Sequence, residues 1–228
     1  MSDTKQYMVV ITDGRERAKS CYGYTWEPVG EWTEAKDWNP EPVMKGGLLG
    51  QHPEAGGFGY PFTGTVPELV EIEGPITMLQ FEDLNRQVYQ GGIKVRRAKR
   101  IAVGNLDVPE MPRRWWSLNF SGCTGRIVLP AGLTVTWFYM PNCTGLRELP
   151  VELTSSEIDV SYCSNLRKIG KGLLAGQLLA VGCTRLREIS AGLSVDTIDV
   201  SGCTSLREMP NDLKARRIVG LENTGIPA

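Results

Sequence analysis

From residue 123 onward, apolar positions in this chain return with a period of twenty. Counting Cys123, Cys143, Cys163, Cys183 and Cys203 as position zero, leucine recurs at +3 (Leu146, Leu166, Leu186, Leu206) and at +10 (Leu133, Leu153, Leu173, Leu193, Leu213). Position +6 holds Leu129, Leu149, Ile169, Ile189 and Met209. Positions +15 and +17 pair Phe138 with Met140, Ile158 with Val160, Leu178 with Ala180, and Ile198 with Val200. This last alternation has period two and predicts one short strand per turn, with those side chains facing inward. No single repeat can bury so many apolar groups, so the turns must stack into a solenoid whose parallel sheet runs along it. Residues at +14, +16 and +18 then face out of the sheet, on its concave side: Trp137 and Tyr139, Glu157 and Asp159, Leu179 and Val181, Asp199, and Arg217.

Residues 1–103 show no such period and read as a separate, small β-rich domain that caps the solenoid of 104–228. "QYMVVIT" is an apolar, β-branched run closed by the turn-prone "DGRER". Trp26, Trp32 and Trp38 follow at six-residue spacing, which fits no single helical face and suggests aromatics plugging a small core. "ELVEIEGPITMLQ" predicts a strand, a turn at Gly74-Pro75 and a second strand. "EDLNRQVYQGG" predicts a short helix ended by Gly91, and "IKVRRAKRIAVG" a strand leading into the repeats. The basic cluster Lys94, Arg96, Arg97, Lys99 and Arg100 reads as a solvated strand edge. The fold class expected is α+β or mainly β. Leu106 stands where the repeat leucine belongs, which makes 104–122 a divergent first turn; Arg126 takes a leucine place in the next.

Composition narrows the function classes. Net charge is −1, and the basic and acidic residues are spread evenly over both halves, which argues against broad phosphate-backbone binding. No apolar run approaches the ~18 residues of a membrane span, and no leader pattern opens the chain. A cytoplasmic location is expected (the host cytoplasm for a phage-encoded protein). Five of the six cysteines are locked to the repeat; stacked turns place them in a ladder of buried free thiols, which suits a reducing compartment. There is no CxxC and only one histidine, His52, so neither a metal site nor another cofactor is expected. His52, beside Glu54 in the glycine-rich stretch 45–64, is the sole candidate for imidazole catalysis; without it the catalytic set is empty, and the chain reads as more consistent with a non-enzyme. Arg147, Arg167, Arg187 and Arg207 at +4, beside Glu148, Lys168, Glu188 and Glu208 at +5, predict a solvated edge of arginine–glutamate pairs.

"TIDVSGCTSL" resembles the leucine-rich repeat pattern L-x-x-L-x-L-x-x-N/C-x-(x)-L, and "SGCTSLREMP" is similar to its cysteine-type members. The resemblance covers residues 104–226, about five short turns plus caps. It implies that Cys123 to Cys203 donate hydrogen bonds to backbone carbonyls of adjacent turns, and that the back of each turn is extended or 3₁₀. The N-terminal half resembles, over about 60 residues, uncharacterised domains that precede repeats in bacteriophage proteins, which implies a phage or bacterial source and no particular activity. Two functions stay open: a module binding a host or partner protein through the concave face, with an inhibitory or anti-defence role, and an N-terminal enzyme or small-ligand domain with the repeats as a targeting arm. A protein partner is expected, nucleic acid and membrane are not, and self-association is left open.

Overall fold

The computed structural model of the chain describes residues 5–19, 24–39, 41, 48–54, 66–82 and 88–226, with 80–82 and 88–91 by backbone alone. Its strands are β1 (Gln6–Thr12), β2 (Trp32–Glu34), β3 (Leu48–Gly50), β4 (Val66–Glu82), β5 (Val88–Val103), β6 (Arg114–Asn119) and β7 (Thr134–Tyr139). They continue as β8 (Thr154–Asp159), β9 (Lys168–Ile169), β10 (Leu174–Leu179), β11 (Glu188–Ile189), β12 (Ser194–Asp199) and β13 (Lys214–Val219). Among the described residues the only helical element is a 3₁₀ turn at Leu221–Asn223. The protein is mostly β, and the α component of the expected fold class does not appear there.

The twenty-residue period builds a β-solenoid of about five turns. Strands β6, β7, β8, β10, β12 and β13 form one parallel sheet in that spatial order. Each pairs with its neighbour at a shift of twenty, so that Phe138 meets Ile158, Ile158 meets Leu178, Leu178 meets Ile198 and Ile198 meets Ile218. The inward rows are those the periodicity assigns: positions +3, +10, +15 and +17 of the inner turns are completely buried. At about 1.5–3 kcal/mol for each buried aliphatic side chain, stacking supplies what a lone turn lacks. The backs of the turns are extended, and β9 and β11 pair there as a second, two-stranded parallel sheet.

Cysteine fixes the corner of every turn. Cys123, Cys143, Cys163, Cys183 and Cys203 are free and buried. The thiols of Cys143, Cys163, Cys183 and Cys203 donate to the carbonyls of Phe120 (2.6 Å), Met140 (3.0 Å), Val160 (3.1 Å) and Ala180 (3.1 Å). Each bond thus reaches back to the residue three before the previous cysteine. In the first turn the leucine place is filled one residue late. Ile127, not Arg126, pairs with Leu146 and is buried.

The N-terminal residues form an antiparallel sheet in the order β1-β4-β5-β2, with β3 also on β5. β4 runs straight through the expected Gly74-Pro75 turn: Gly74 sits at φ 90°, and the register with β5 shifts between Glu73 and Ile76, so the glycine makes a bulge. The helix expected over 82–92 is replaced at 88–91 by the start of β5, because Glu82 pairs with Val88 and a long partner strand offers those backbone groups a ladder. β1 is apolar without alternation because both faces of the sheet are covered. Val9, Ile11, Leu49, Leu69 and Leu79 join the solenoid core, while Met8, Val10, Leu48, Val70, Ile93 and Val95 form a second core with Trp26.

The basic cluster of β5 is not a uniformly solvated edge. β5 lies inside the sheet, and Lys94 and Arg100 are buried. Arg100 clasps the buried carboxylate of Glu68, which also accepts from Thr12, and donates to the carbonyls of Glu16 (2.6 Å) and Arg15 (3.0 Å). The cluster therefore divides into a buried clamp on the 13–19 loop and surface pairs such as Arg96 with Glu34 at 3.0 Å.

Candidate functional site

The outward face of the six-stranded sheet gathers the residues expected to bind a partner. Strand pairing places Trp137 beside Glu157, and Tyr139 beside Asp159; Leu179 lies between Asp159 and Asp199, and Arg217 follows Thr197. Trp137 is 40% exposed and Tyr139 is 37% exposed, whereas Phe138 between them is completely buried. Glu157, Asp159, Leu179, Val181 and Asp199 are half-buried and Arg217 is exposed. The Tyr139 hydroxyl donates to Glu157 Oε1 at 3.4 Å. Its pKa is raised, by burial first and then by the negative charges of Glu157 and Asp159. This part of the face is aromatic and electronegative.

Two of its acids also serve the fold. Asp159 Oδ1 accepts from the Ser161 N–H and Asp199 Oδ1 from the Ser201 N–H, both at 2.9 Å. Asn119 holds Ser121 in the same way at 3.0 Å. The +16 row is thus partly structural upkeep, an Asx turn leaving the strand, while Tyr139 and Leu179 in the same row make no such turn.

Two further exposed aromatic residues are passed over by the periodic reading. Trp116, 56% exposed, occupies position +13 of the first strand. Strict alternation would turn +13 inward, but the strands kink there: +12 is inward (Val135, Ser155, Val195) and +13 and +14 both look out. Tyr162, 58% exposed, stands in the turn leaving β8 at φ 61°. Its column reads Gly122, Asn142, Tyr162, Gly182, Gly202, all left-handed. The residue types preceding each cysteine therefore carried a signal in the sequence: a bulky side chain in a glycine column. The ring lies over Gly182, where a Cβ would come within 2.7 Å of Tyr162 Cδ1.

His52 lies elsewhere. Residues 51–53 run along the free edge of β6, with the Trp116 N–H donating to the Pro53 carbonyl at 2.8 Å. The Gln51 side chain acts as a strand in miniature, donating to Asn119 O and accepting from Asn119 N, each at 2.7 Å. His52 is buried beside it and its Nδ1 accepts from the Glu54 backbone N–H at 3.3 Å. Burial lowers its pKa, and the Glu54 carboxylate only partly opposes this. The Glu54 side chain is exposed, so the two residues meet through backbone and not as an acid–base pair. The rest of the glycine-rich stretch, 45–47 and 55–64, lies outside the described residues.

The charge ladder of positions +4 and +5 differs from the expected arginine–glutamate pairing. Lys168 takes Glu188 at 2.7 Å, and Arg147, Arg167 and Arg187 face solvent. Among the described residues no group of three or more His, Cys, Asp or Glu is placed to hold a metal ion, and no helix is long and apolar enough to cross a membrane. Comparison of the chain with protein-family models, with curated proteins and with solved structures finds no match.

Proposed function

We propose that this protein is a non-enzymatic interaction module that docks a partner protein on the outward face of its parallel sheet, with Trp137 and Tyr139 as anchors. The observation that carries the reading is the exposure of both rings on a strand paired on both sides, with Phe138 between them completely buried. Aromatic side chains on a preorganised surface lose little entropy on binding and dominate interface energetics. Glu157 and Asp159 beside them favour a partner patch that combines apolar and basic groups. Supported by the cysteine-to-carbonyl bonds of successive turns, we assign the repeats to the leucine-rich type. In a phage or bacterial cell such a module acts on a host protein, as an inhibitor, and self-association through the same face is the competing occupancy.

The test is capture of the partner with the intact protein, followed by calorimetric titration of the purified pair and a measurement of solution mass. The double variant Trp137→Ala, Tyr139→Ala should bind more weakly by about 2 kcal/mol or more, with its melting temperature nearly unchanged because neither ring fills the core. Normal binding by the double variant overturns the assignment, as does a concentration-dependent dimer that the variant abolishes.

A further inference from the structure

The opposite side of each turn carries a different surface. Arg147, Arg167 and Arg187 are stacked in register by backbone hydrogen bonds, Arg167 N–H to Arg147 O at 2.7 Å and Arg187 N–H to Arg167 O at 3.0 Å. Their spacing is therefore that of neighbouring strands, about 4.8 Å. All three side chains are exposed. Among the described residues no carboxylate forms an ion pair with any of them. Of the two acids beside them, Glu188 is taken by Lys168 at 2.7 Å and Ser190 at 2.9 Å, and Glu148 is exposed. The three arginines thus present a row of guanidinium donors that no carboxylate engages, on which an added anion can pair.

The column borders two adjoining hollows. One, of about 370 Å³, lies among Arg147, Arg167, Arg187, Glu148, Lys168 and Glu188. The other, of about 280 Å³, is lined by Arg126 and Arg147 together with Leu149, Pro150 and the exposed Val151. Together they make a trough from Arg126 to Arg187, in which the stacked stretch Arg147 to Arg187 covers two strand spacings, about 10 Å, the span of about three extended residues. Its lining mixes apolar and charged side chains and contains no aromatic ring on which a nucleobase could stack. Glu148 and Glu188 in the trough also oppose a continuous phosphate chain, whereas separate carboxylates can be spaced between them.

We propose that the trough along Arg126, Arg147, Arg167 and Arg187 is a second docking surface, taking an extended acidic peptide segment whose carboxylates pair with the guanidiniums while an apolar side chain rests on Pro150 and Val151. Arginine suits this role because its planar fork binds carboxylate in two-point fashion. The surface is independent of the sheet face, which lies on the other side of each turn.

The test uses the full chain and fluorescence anisotropy at about 50 mM salt, where surface charge is weakly screened. The probes are a labelled eight-residue peptide of six glutamates and two leucines, its lysine-for-glutamate counterpart, and a labelled twelve-residue oligothymidylate. The acidic peptide should bind about tenfold tighter than the other two, lose about tenfold in the triple variant Arg147→Gln, Arg167→Gln, Arg187→Gln, and bind Trp137→Ala, Tyr139→Ala unchanged. The triple variant should melt no lower than the parent, because the three exposed arginines hold no ion pair that the change would break. Absence of saturable binding, equal binding by the triple variant, or tighter binding of the oligonucleotide overturns the proposal. A lower melting temperature for the triple variant does so as well, by making the column structural.

Discussion

The thiol of Cys163 shows how one side chain holds a turn in place. It is completely buried and donates to Met140 O at 3.0 Å. Hydrogen bonding with Cys143 and then burial push its pKa far above that of a free thiol, so thiolate is scarce and alkylating reagents should label it only on unfolding. Cys163→Ala leaves the Met140 carbonyl only the long bond from the Cys143 N–H at 3.4 Å and should cost about 0.5–1.5 kcal/mol; Cys163→Ser, whose hydroxyl still donates, should cost less. Urea unfolding of the two variants decides this, and equal losses would mean the thiol only fills space. Tyr162 makes the opposite case. A bulky residue at φ 61° stores about 1–2 kcal/mol of strain, in a column where glycine would store none. Tyr162→Gly is expected to raise the melting temperature and weaken partner binding. A variant that loses stability, or one that binds as well as the parent, removes Tyr162 from the site.

At the scale of elements, the inner rows were legible because burial imposes a period that only apolar residues satisfy. The corrections come where a backbone event overrides the period. The one-residue shift at Arg126 and Ile127 crowds the next turn, and a Cβ at Gly145 would sit 1.6 Å from the Gly125 carbonyl oxygen; the same position holds Asn165 and Arg185 in later turns, where no shift occurs. The kink at +13 exposes Trp116, and the bulge at Gly74 joins two expected strands into one. Such events depend on strand partners far away in sequence, which no local pattern records. The segment 51–54 belongs here too. Its sequence offers a lone candidate histidine in a glycine-rich stretch, yet the segment runs along the free edge of β6, held by the Pro53 carbonyl and the Gln51 side chain. Because burial depresses the His52 pKa, the unfolded chain binds more protons than the folded one below about pH 6.5. Stability is therefore full above that value, falls as pH drops through it, and levels off below the folded-state pKa. His52→Asn keeps an acceptor for the Glu54 N–H and has no proton to gain. Denaturant melts of both proteins between pH 7.5 and 5 should show the wild type losing stability relative to the variant; parallel curves would place His52 in contact with solvent.

Taken whole, the molecule is organised by a core that does not stop where the repeat begins. Val9, Ile11, Leu49 and Leu69 belong to the same cluster as Phe120, Leu133 and Cys123. Gln51 ties the two regions directly, pairing its backbone with Val9 at 2.7 and 2.8 Å and its side chain with Asn119. The Gly104 N–H donates to Pro67 O at 2.8 Å, so the chain is clamped at the junction itself. The sequence marks a boundary near 103 because the period begins there, yet the N-terminal sheet covers the first turn, which has no neighbour on that side. A parallel sheet with an uncovered edge and an apolar end is prone to aggregate. Unfolding in guanidinium should therefore be one transition, with tryptophan fluorescence and far-ultraviolet circular dichroism coincident, since tryptophans lie in both regions (Trp26 and Trp32, Trp115 and Trp137). Gln51→Ala removes the two 2.7 Å bonds between its side chain and the Asn119 backbone, at about 0.5–1.5 kcal/mol for each bond, and should shift that single midpoint for both probes together. Two separated transitions, or a Gln51→Ala variant in which only the N-terminal signal moves, would show that the sheet and the solenoid are independent folding units and that the shared core contributes little to either.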